Sequence, residues 1–386
     1  MKVAFVHCRI RPGGALSVLE DLIGEQKAIK EAKIFTIFSD FKELKTQQHT
    51  LKIVTALPRR MNKLFLWCST HKVPFLSRLF DYRNLIFFYP ILMRILSRKI
   101  KRYLKRDKKS IFLGRLHKRG AIPGQIFISS FAIAKNITPI SGIPMTLYLH
   151  SPMQYVWTHY NEYKEKLTGI KKTIFNRIVP RLKERDLDHT KFDKIYANSK
   201  YTAQEAKKLY GMQDIIIKYP RIPNKFFIPA VQETSQEYYL YVGRLVNFVR
   251  ETDKVIKLCN TMKAPLIVMG NGPDEVYLKS IAGPSIIFIG RVKDEDEKIK
   301  IISKAKGLIN LTKESYGIGT VEALLLGVPI FGYNQGATPE LVDKDCGVLV
   351  DHKDAESLEE GFKKFTETKR DRKMIAKRIR EKWKEK

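Results

Sequence analysis

Six short apolar runs set the terms for the second half of the chain: YYLYVG (238–243), PLIVMG (265–270), IIFIG (286–290), GLINLT (307–312), PIFGY (329–333) and GVLV (347–350). They are continuous rather than alternating, so the strands they make are covered on both faces. Helical spacing fits the intervals between most of them, notably 253–262, 294–303 and 320–326. Continuous apolar strands separated by helices predict a parallel sheet with helices on both sides.

The first half has the same rhythm, less regularly. Lys2–His7 reads as a strand, Arg11–Gly14 as a glycine turn containing Gly13 and Gly14, and Leu16–Gly24 as a helix. Further strands are expected at 32–39, 126–130, 145–150 and 194–199, with a helix at 202–211. This is how an α/β nucleotide-type domain begins. His150 falls at the carboxyl end of its strand, where open α/β sheets bind ligands. The stretch 219–236 is proline-rich and polar at its end. At 386 residues the chain exceeds the size of one ordinary core. The reading is therefore a first domain over 1–218, a linker over 219–236, a second domain over 237–368, and a basic C-terminal helix over 369–386 that returns toward the first domain. That helix belongs to a basic helical stretch running over 363–386.

The richest local pattern is KESYGIGTVEALLLGVPIFGYNQGATPELV, 313–342. Glu314 and Glu322 flank a glycine turn that opens a helix near Thr320. Gly317 and Gly319 let the backbone turn tightly and approach a ligand closely. Free N–H groups at the helix start suit phosphate oxygens, and carboxylates accept hydrogen bonds from sugar hydroxyls. A phosphorylated, hydroxyl-rich ligand is the expected guest.

Charge adds a second constraint. The chain carries 71 Lys and Arg against 40 Asp and Glu, a formal net charge of +31. An anionic partner surface follows, or a generally lysine-rich composition. From Arg94 to Arg119 basic residues crowd together, and Arg94, Arg98, Lys101, Lys105 and Lys108 fit one helical face beside Ile91, Leu92, Ile95 and Leu96. Such an amphipathic basic helix can lie on anionic lipid; the alternative is a solvated helix face. No nucleic-acid recognition motif accompanies the charge. Cys8, Cys68, Cys259 and Cys346 are scattered, which argues against a disulfide scaffold or structural zinc. The first residues do not read as a secretory signal, and the longest apolar stretch, 85–93, is too short to cross a bilayer. Location in the cytoplasm, with peripheral contact at the inner face of the membrane, is the expectation.

On these residues the chain resembles the retaining glycosyltransferases of family 4 (group 1), which have the GT-B architecture. Tyr238–Val350 carries most of the likeness, and LYLHSPMQYVW and KIYANSKYTAQEAKKLYG carry more. YLHSPMQYVW is similar to a subset that builds lipopolysaccharide and other bacterial surface polysaccharides, mannosyltransferases among them. The resemblance implies two Rossmann-like domains with parallel sheets facing across a cleft, the donor on the second and the acceptor on the first. It implies that Glu314 meets the transferred sugar and Glu322 the ribose hydroxyls. The segment Tyr316, Gly317, Ile318, Gly319 and Thr320 lies beside the diphosphate and sugar. Gly243 and Arg244 match the family's turn after the first donor-domain strand, where the arginine binds diphosphate. The family usually has a lysine five positions on; this chain has Val249 there, and Arg250 is the expected substitute.

By the same resemblance Asn271 and Gly272 lie near the donor, and Arg291 and Val292 border the nucleobase. The loop 335–340 lies near the first glutamate, with Glu340 either in the site or bracing its own helix. Gly13 and Gly14 flank the cleft beneath the transferred phosphate. His150 matches a conserved strand-end histidine, and Ser151, Tyr155 and Trp157 stand on the acceptor side, Trp157 alternatively anchoring the next helix. His150, Arg244, Arg250 and Glu314 are the candidate catalytic residues. No metal and no resident cofactor is implied; Asp186-Leu187-Asp188 has the letters of a metal motif without its setting. The implied reaction is retaining transfer of a hexose from a nucleoside-diphosphate sugar, GDP-mannose favoured slightly over UDP-sugars, to a polysaccharide or lipid-linked acceptor. A non-catalytic partner subunit of the same fold, or a nucleotide-sugar epimerase, are the alternatives.

Overall fold

The strand-forming runs become two separate sheets in a computed structural model, which describes residues 1–384 apart from 12, 27–28, 47, 72–87, 106–123, 189–190, 228–237 and 352–353. The chain divides into two units, Met1–Asn198 with Thr202–Lys218, and Ser199–Tyr201 with Tyr219–Lys386. Residues 106–119 of the basic segment, and 228–236 of the proline-rich stretch, lie outside the described residues.

The first unit holds β1 (Lys2–Ile10), α1 (Gly14–Gly24), β2 (Glu31–Ser39), β3 (Glu43–Lys45), β4 (Thr50–Thr55), α2 (Arg59–His71) and α3 (Tyr89–Lys105). It continues with β5 (Gly124–Ser130), β6 (Met145–Leu149), α4 (Tyr160–Glu165), α5 (Gly169–Leu187), β7 (Lys194–Ala197), α6 (Lys200–Tyr210, of which Lys200 and Tyr201 belong to the second unit) and β8 (Ile215–Ile217). Its eight strands run in the order β3-β4-β2-β1-β5-β6-β7-β8. All pairs are parallel except β3 with β4. β1 sits between β2 and β5 and is buried along almost its whole length, which explains its unbroken apolar sequence.

Helix α3 divides its apolar residues between the core and the surface. Leu92, Met93, Leu96 and Ile100 are buried in the first unit's main core, and Lys99 Nζ bonds the Thr55 and Ala56 carbonyls at 2.7 and 3.3 Å. Most of the helix's apolar face is therefore spent on protein packing, while Ile91 is exposed and Ile95 half-buried. Arg94, Arg98, Lys101 and Lys105 form its exposed face.

The second unit holds β9 (Tyr239–Val242), α7 (Asn247–Arg250), α8 (Thr252–Thr261), β10 (Leu266–Met269), α9 (Glu275–Ser280), β11 (Ile286–Gly290) and α10 (Glu295–Ser303). Then come β12 (Gly307–Asn310), α11 (Ile318–Leu325), β13 (Ile330–Tyr333), α12 (Thr338–Leu341), β14 (Gly347–Val350), α13 (Ala355–Glu367) and α14 (Arg372–Lys384). The order β11-β10-β9-β12-β13-β14 is all parallel and reverses between β9 and β12. In doubly wound sheets that reversal is where loops splay apart and ligands bind.

The stretch 363–386 is not one helix. Asp371 accepts from the backbone of Lys373 and Met374 at 2.8 and 3.1 Å, starting a new helix as an N-cap does. Ile375 and Ile379 of α14 are buried in the second unit's core, and Trp383 Nε1 donates to Tyr316 Oη at 3.3 Å. Its basic residues have structural work too. Arg380 reaches the Leu325 carbonyl at the end of α11, and Arg372 reaches Ser303 and Ala305 at the end of α10. Orphan helix carbonyls thereby gain charged donors. Ile379→Ala is expected to destabilise the protein by about 2–5 kcal/mol, read by urea denaturation, because α14 packs into the same core as α11.

Candidate active site

In the second unit the site is assembled where the sheet reverses. The turn after β9 carries Gly243 and Arg244, and the segment after β12 carries Glu314. Arg244 is exposed; its carbonyl accepts from Val246 N at 2.9 Å, and its guanidinium makes no hydrogen bond or ion pair with any described residue. The short helix α7 follows, held at its start by Asp274, which accepts from Asn247 N at 2.7 Å. It ends at Arg250, whose guanidinium pairs with the Glu314 carboxylate. Glu314 favours the charged guanidinium most, against the opposing cost of burial. Thr312 Oγ1 donates to the Arg250 carbonyl at 2.9 Å, tying the two loops a second time. Arg250, one position beyond the expected lysine, is thus brought to the first glutamate; Val249 is not.

Two glycines hold this loop in shape. Gly317 takes φ +94° to begin α11, so the helix starts at Ile318 rather than near Thr320. Gly336 (φ +65°) sits directly against the Glu314 backbone, where any Cβ would collide, and Ala337 N donates to the Glu314 carbonyl at 2.9 Å. The 335–340 loop therefore braces the first glutamate. Glu340 is occupied otherwise: its carboxylate accepts from the backbone of Lys200 and Tyr201 at 3.0 and 3.4 Å and from Tyr219 Oη at 3.4 Å. Tyr316 has its side chain buried against Tyr219 and Trp383, leaving its backbone on the turn. Thr320 is also buried, accepting from Asn310 Nδ2 at 3.1 Å. Asn271 is exposed and its carbonyl accepts from Leu245 N at 3.0 Å, with Gly272 next to it. Arg291, exposed, and Val292 follow β11.

Glu322 holds a surprise. It is only 4% exposed, and both its oxygens accept from Lys298 Nζ at 2.6 Å. Burial pushes its carboxyl up and Lys298 draws it down. Lys298, on α10, was not among the residues expected from sequence, and no spacing or motif announces it. Each carboxylate oxygen keeps a further lone pair for a hydroxyl. Lys298→Met strands this buried carboxylate and is expected to cost about 3 kcal/mol. Glu322→Gln in the same chain should recover most of that, a coupling measurable by a double-mutant cycle in urea.

In the first unit, His150 follows β6 and is buried. Its Nε2 lies 2.7 Å from Ser129 Oγ, which lies 2.9 Å from His7 Nδ1. Burial lowers both imidazoles: His7 to about 4 with Arg9 helping and the Ser129 backbone opposing, His150 to about 3 with His7 helping. Both are neutral at physiological pH. The His150 carbonyl accepts from Asn198 Nδ2 at 2.9 Å. Gly13 and Gly14 begin α1 just after β1. Ser151 is buried, and Tyr155 has a buried hydroxyl with no partner among the described residues.

Trp157 is resolved in favour of anchoring. Its Nε1 donates to Asp186 Oδ2 at 2.8 Å, and Asp186 pairs with Lys135 at 2.9 Å in a fully buried cluster. Asp186 is thus a structural counter-charge. Among the described residues no cluster of three or more His, Cys, Asp or Glu has metal-binding geometry. A cavity of about 330 Å³ lies between α3 and α5, lined by Arg94, Asn136 and Arg185, and includes none of these site residues. All four cysteines are buried and free. No described helix is long and apolar enough to cross a membrane.

Residues 224–382 match the family model described as glycosyl transferases group 1. The lipopolysaccharide outer core galactosyltransferase WaaB, solved in its apo form, superposes with a TM-score of 0.60 at 14% identity, covering 98% of this chain and 95% of that one. HepE of Anabaena, solved with UDP and glucose, superposes with a TM-score of 0.58 at 15% identity, covering 100% and 99%. By its second unit and its fold, the chain is classed as a glycosyltransferase. The expected GT-B fold of two α/β domains is borne out. The glycosyltransferase is also 22% identical over 326 residues to the N-acetyl-alpha-D-glucosaminyl L-malate synthase of Bacillus anthracis, covering 80% of this chain and 77% of the relative.

Proposed function

We propose that this glycosyltransferase moves a hexose, with retention of anomeric configuration, from a nucleoside-diphosphate sugar to a surface-glycan or lipid-linked acceptor. The observation that carries the reading is the Arg250–Glu314 pair spanning the reversal between β9 and β12. It puts a cation for diphosphate and a carboxylate for sugar hydroxyls side by side, with unpaired Arg244 on the same turn.

On this reading Arg244 and Arg250 clamp the diphosphate, the N-terminus of α11 adds backbone N–H groups, and Glu322 takes the ribose. Arg291 and Val292 border the base, beside Asn271 and Gly272. On the second unit Glu314 takes the transferred sugar; on the first unit His150 offers a neutral donor to a sugar hydroxyl, and Gly13 and Gly14 leave room for a phosphate. The acceptor oxygen attacks the anomeric carbon on the face from which the diphosphate departs. The C–O bond to that phosphate breaks, and the departing phosphate oxygen takes the acceptor's proton. The protein contributes position and charge rather than a nucleophile. The exposed row on α3 attracts an anionic membrane surface by charge alone.

The segment HSPMQYVW favours GDP-mannose; a relative solved with UDP makes UDP-hexoses equal competitors. The test incubates the protein with GDP-mannose, UDP-glucose, UDP-galactose and UDP-N-acetylglucosamine and core-oligosaccharide acceptors. Nucleoside diphosphate release and the anomeric proton of the product are followed by NMR. One donor should be consumed, giving an α-linked product from an α-linked donor. A β-linked product overturns retention, and no release from any donor overturns the transferase reading.

A further inference from the structure

His7, Ser129 and His150 form one hydrogen-bonded chain across three neighbouring strand positions, β1, β5 and the end of β6. The register makes it so: His7 lies opposite Ser129, and Ser129 opposite Tyr148, two residues before His150. All three side chains are buried, at 1%, 1% and 8% exposure. The Phe131 ring stands edge-on to both imidazoles, and Tyr148 packs against His150 with ring centres 5.0 Å apart. The chain crosses the first sheet where its own strand order reverses, between β1 and β5.

Proton counting gives this arrangement a direction. A hydroxyl between two ring nitrogens donates to one and accepts from the other, so one facing nitrogen carries a proton and the other does not. If His150 Nε2 carried it, Ser129 would donate to His7 Nδ1, and the proton of neutral His7 would sit on Nε2. His7 is the more deeply buried of the two rings, 1% exposed against 8% for His150, so an N–H without a protein partner costs more on His7. A buried N–H left unpaired carries a full desolvation penalty. With the proton on His7 Nδ1 instead, His7 donates to Ser129 and Ser129 donates to His150 Nε2. His150 must then carry its proton on Nδ1, the nitrogen that makes no hydrogen bond within the described residues.

We propose that Ser129 and His7 are positioning residues that fix His150 as the Nδ1–H tautomer, so that it presents a neutral N–H donor to its ligand. Asn198 and the Ser130 carbonyl, which accepts from His150 N at 2.8 Å, hold the backbone while the relay holds the ring. The ligand half of this statement rests on the transferase reading: the donor serves a sugar hydroxyl. A neutral donor suits a hydroxyl, because it adds no fixed charge beside the leaving diphosphate.

The test uses full-length protein labelled with ¹⁵N-histidine and two-bond ¹H–¹⁵N ring spectra at pH 7.5. His150→Gln and His7→Gln assign the signals. His150 is expected with its proton on Nδ1 in the wild type. Ser129→Ala should turn it into a tautomer mixture and lower kcat about tenfold, the loss of one well-placed hydrogen bond, with donor KM changed less than about twofold. Ser129→Thr, which keeps the hydroxyl, should restore both. A wild-type His150 protonated on Nε2, or a tautomer unmoved by Ser129→Ala in a folded protein, overturns the inference. If the spectra behave as stated and no nucleotide sugar is turned over, the tautomer assignment is supported and the transferase reading is the part that fails.

Discussion

Arg250→Ala is expected to lower kcat/KM for the sugar donor by about 10²–10³-fold, the scale of losing one preorganised charge stabiliser of a leaving group. The guanidinium is the cation that joins the two loops at the reversal of the second sheet, through Glu314. Its removal takes charge from the diphosphate and leaves Glu314 without its counter-ion. Arg250→Lys should recover about tenfold of the loss, since lysine restores charge without the planar fork that holds two oxygens at once. Glu314→Gln should act non-additively with Arg250→Ala, because each single change already breaks the pair. Steady-state kinetics of the three single variants and the double variant reads this directly. An Arg250→Ala enzyme within threefold of wild type removes Arg250 from the diphosphate clamp.

The second large effect is acid lability of the first unit. His7 and His150 are held neutral by burial, at about 4 and about 3 against an ordinary value of 6.5. Below pH 6.5 the unfolded chain binds protons that the folded chain refuses. Stability is therefore flat above 6.5 for these groups and is lost as pH falls toward 4 and below. At about 1.4 kcal/mol per pH unit for each histidine, the two together should cost about 4 kcal/mol between pH 7.5 and 5. Because they share Ser129, the first proton also resists the second. Carboxylates add their own slope, so the decisive quantity is a difference. Urea denaturation of a His7→Gln/His150→Gln chain should show a shallower pH dependence than wild type by about that amount. Equal slopes would mean that these rings are protonated in the folded protein at the same pH as in the unfolded one.

The second half was the more readable part of the sequence for a physical reason. A strand covered on both faces is a continuous apolar run, and β9 to β14 all fall within runs visible in the sequence. Glu314, Gly317 and Glu322 were legible because one turn and one helix hold them, so their spacing is local. β3, β4 and β8 escaped because they are short strands at sheet margins with little burial to advertise. α5 escaped because Pro180 interrupts it and only Phe175, Val179, Leu182 and Asp186 are buried along nineteen residues. Lys298, Ser129 and His7 were illegible for a different reason. Each is an isolated polar residue whose partner arrives through tertiary register: Lys298 from α10 onto α11, His7 and Ser129 through the β1–β5 pairing. The basic charge was legible as a sum and not as a distribution. On α14 part of it closes helix ends, and on α3 it decorates a helix whose apolar side is mostly buried.

Calorimetric titration of the intact protein with GDP-mannose, GDP-glucose, UDP-glucose, UDP-galactose and UDP-N-acetylglucosamine, beside Glu322→Ala and Arg244→Ala, tests most directly whether the second unit is a nucleotide-sugar site. The account predicts saturable binding of one nucleotide class, abolished in Glu322→Ala and weakened in Arg244→Ala while both variants keep the wild-type fold. Absence of binding by every nucleotide sugar, or binding that neither substitution disturbs, would contradict it.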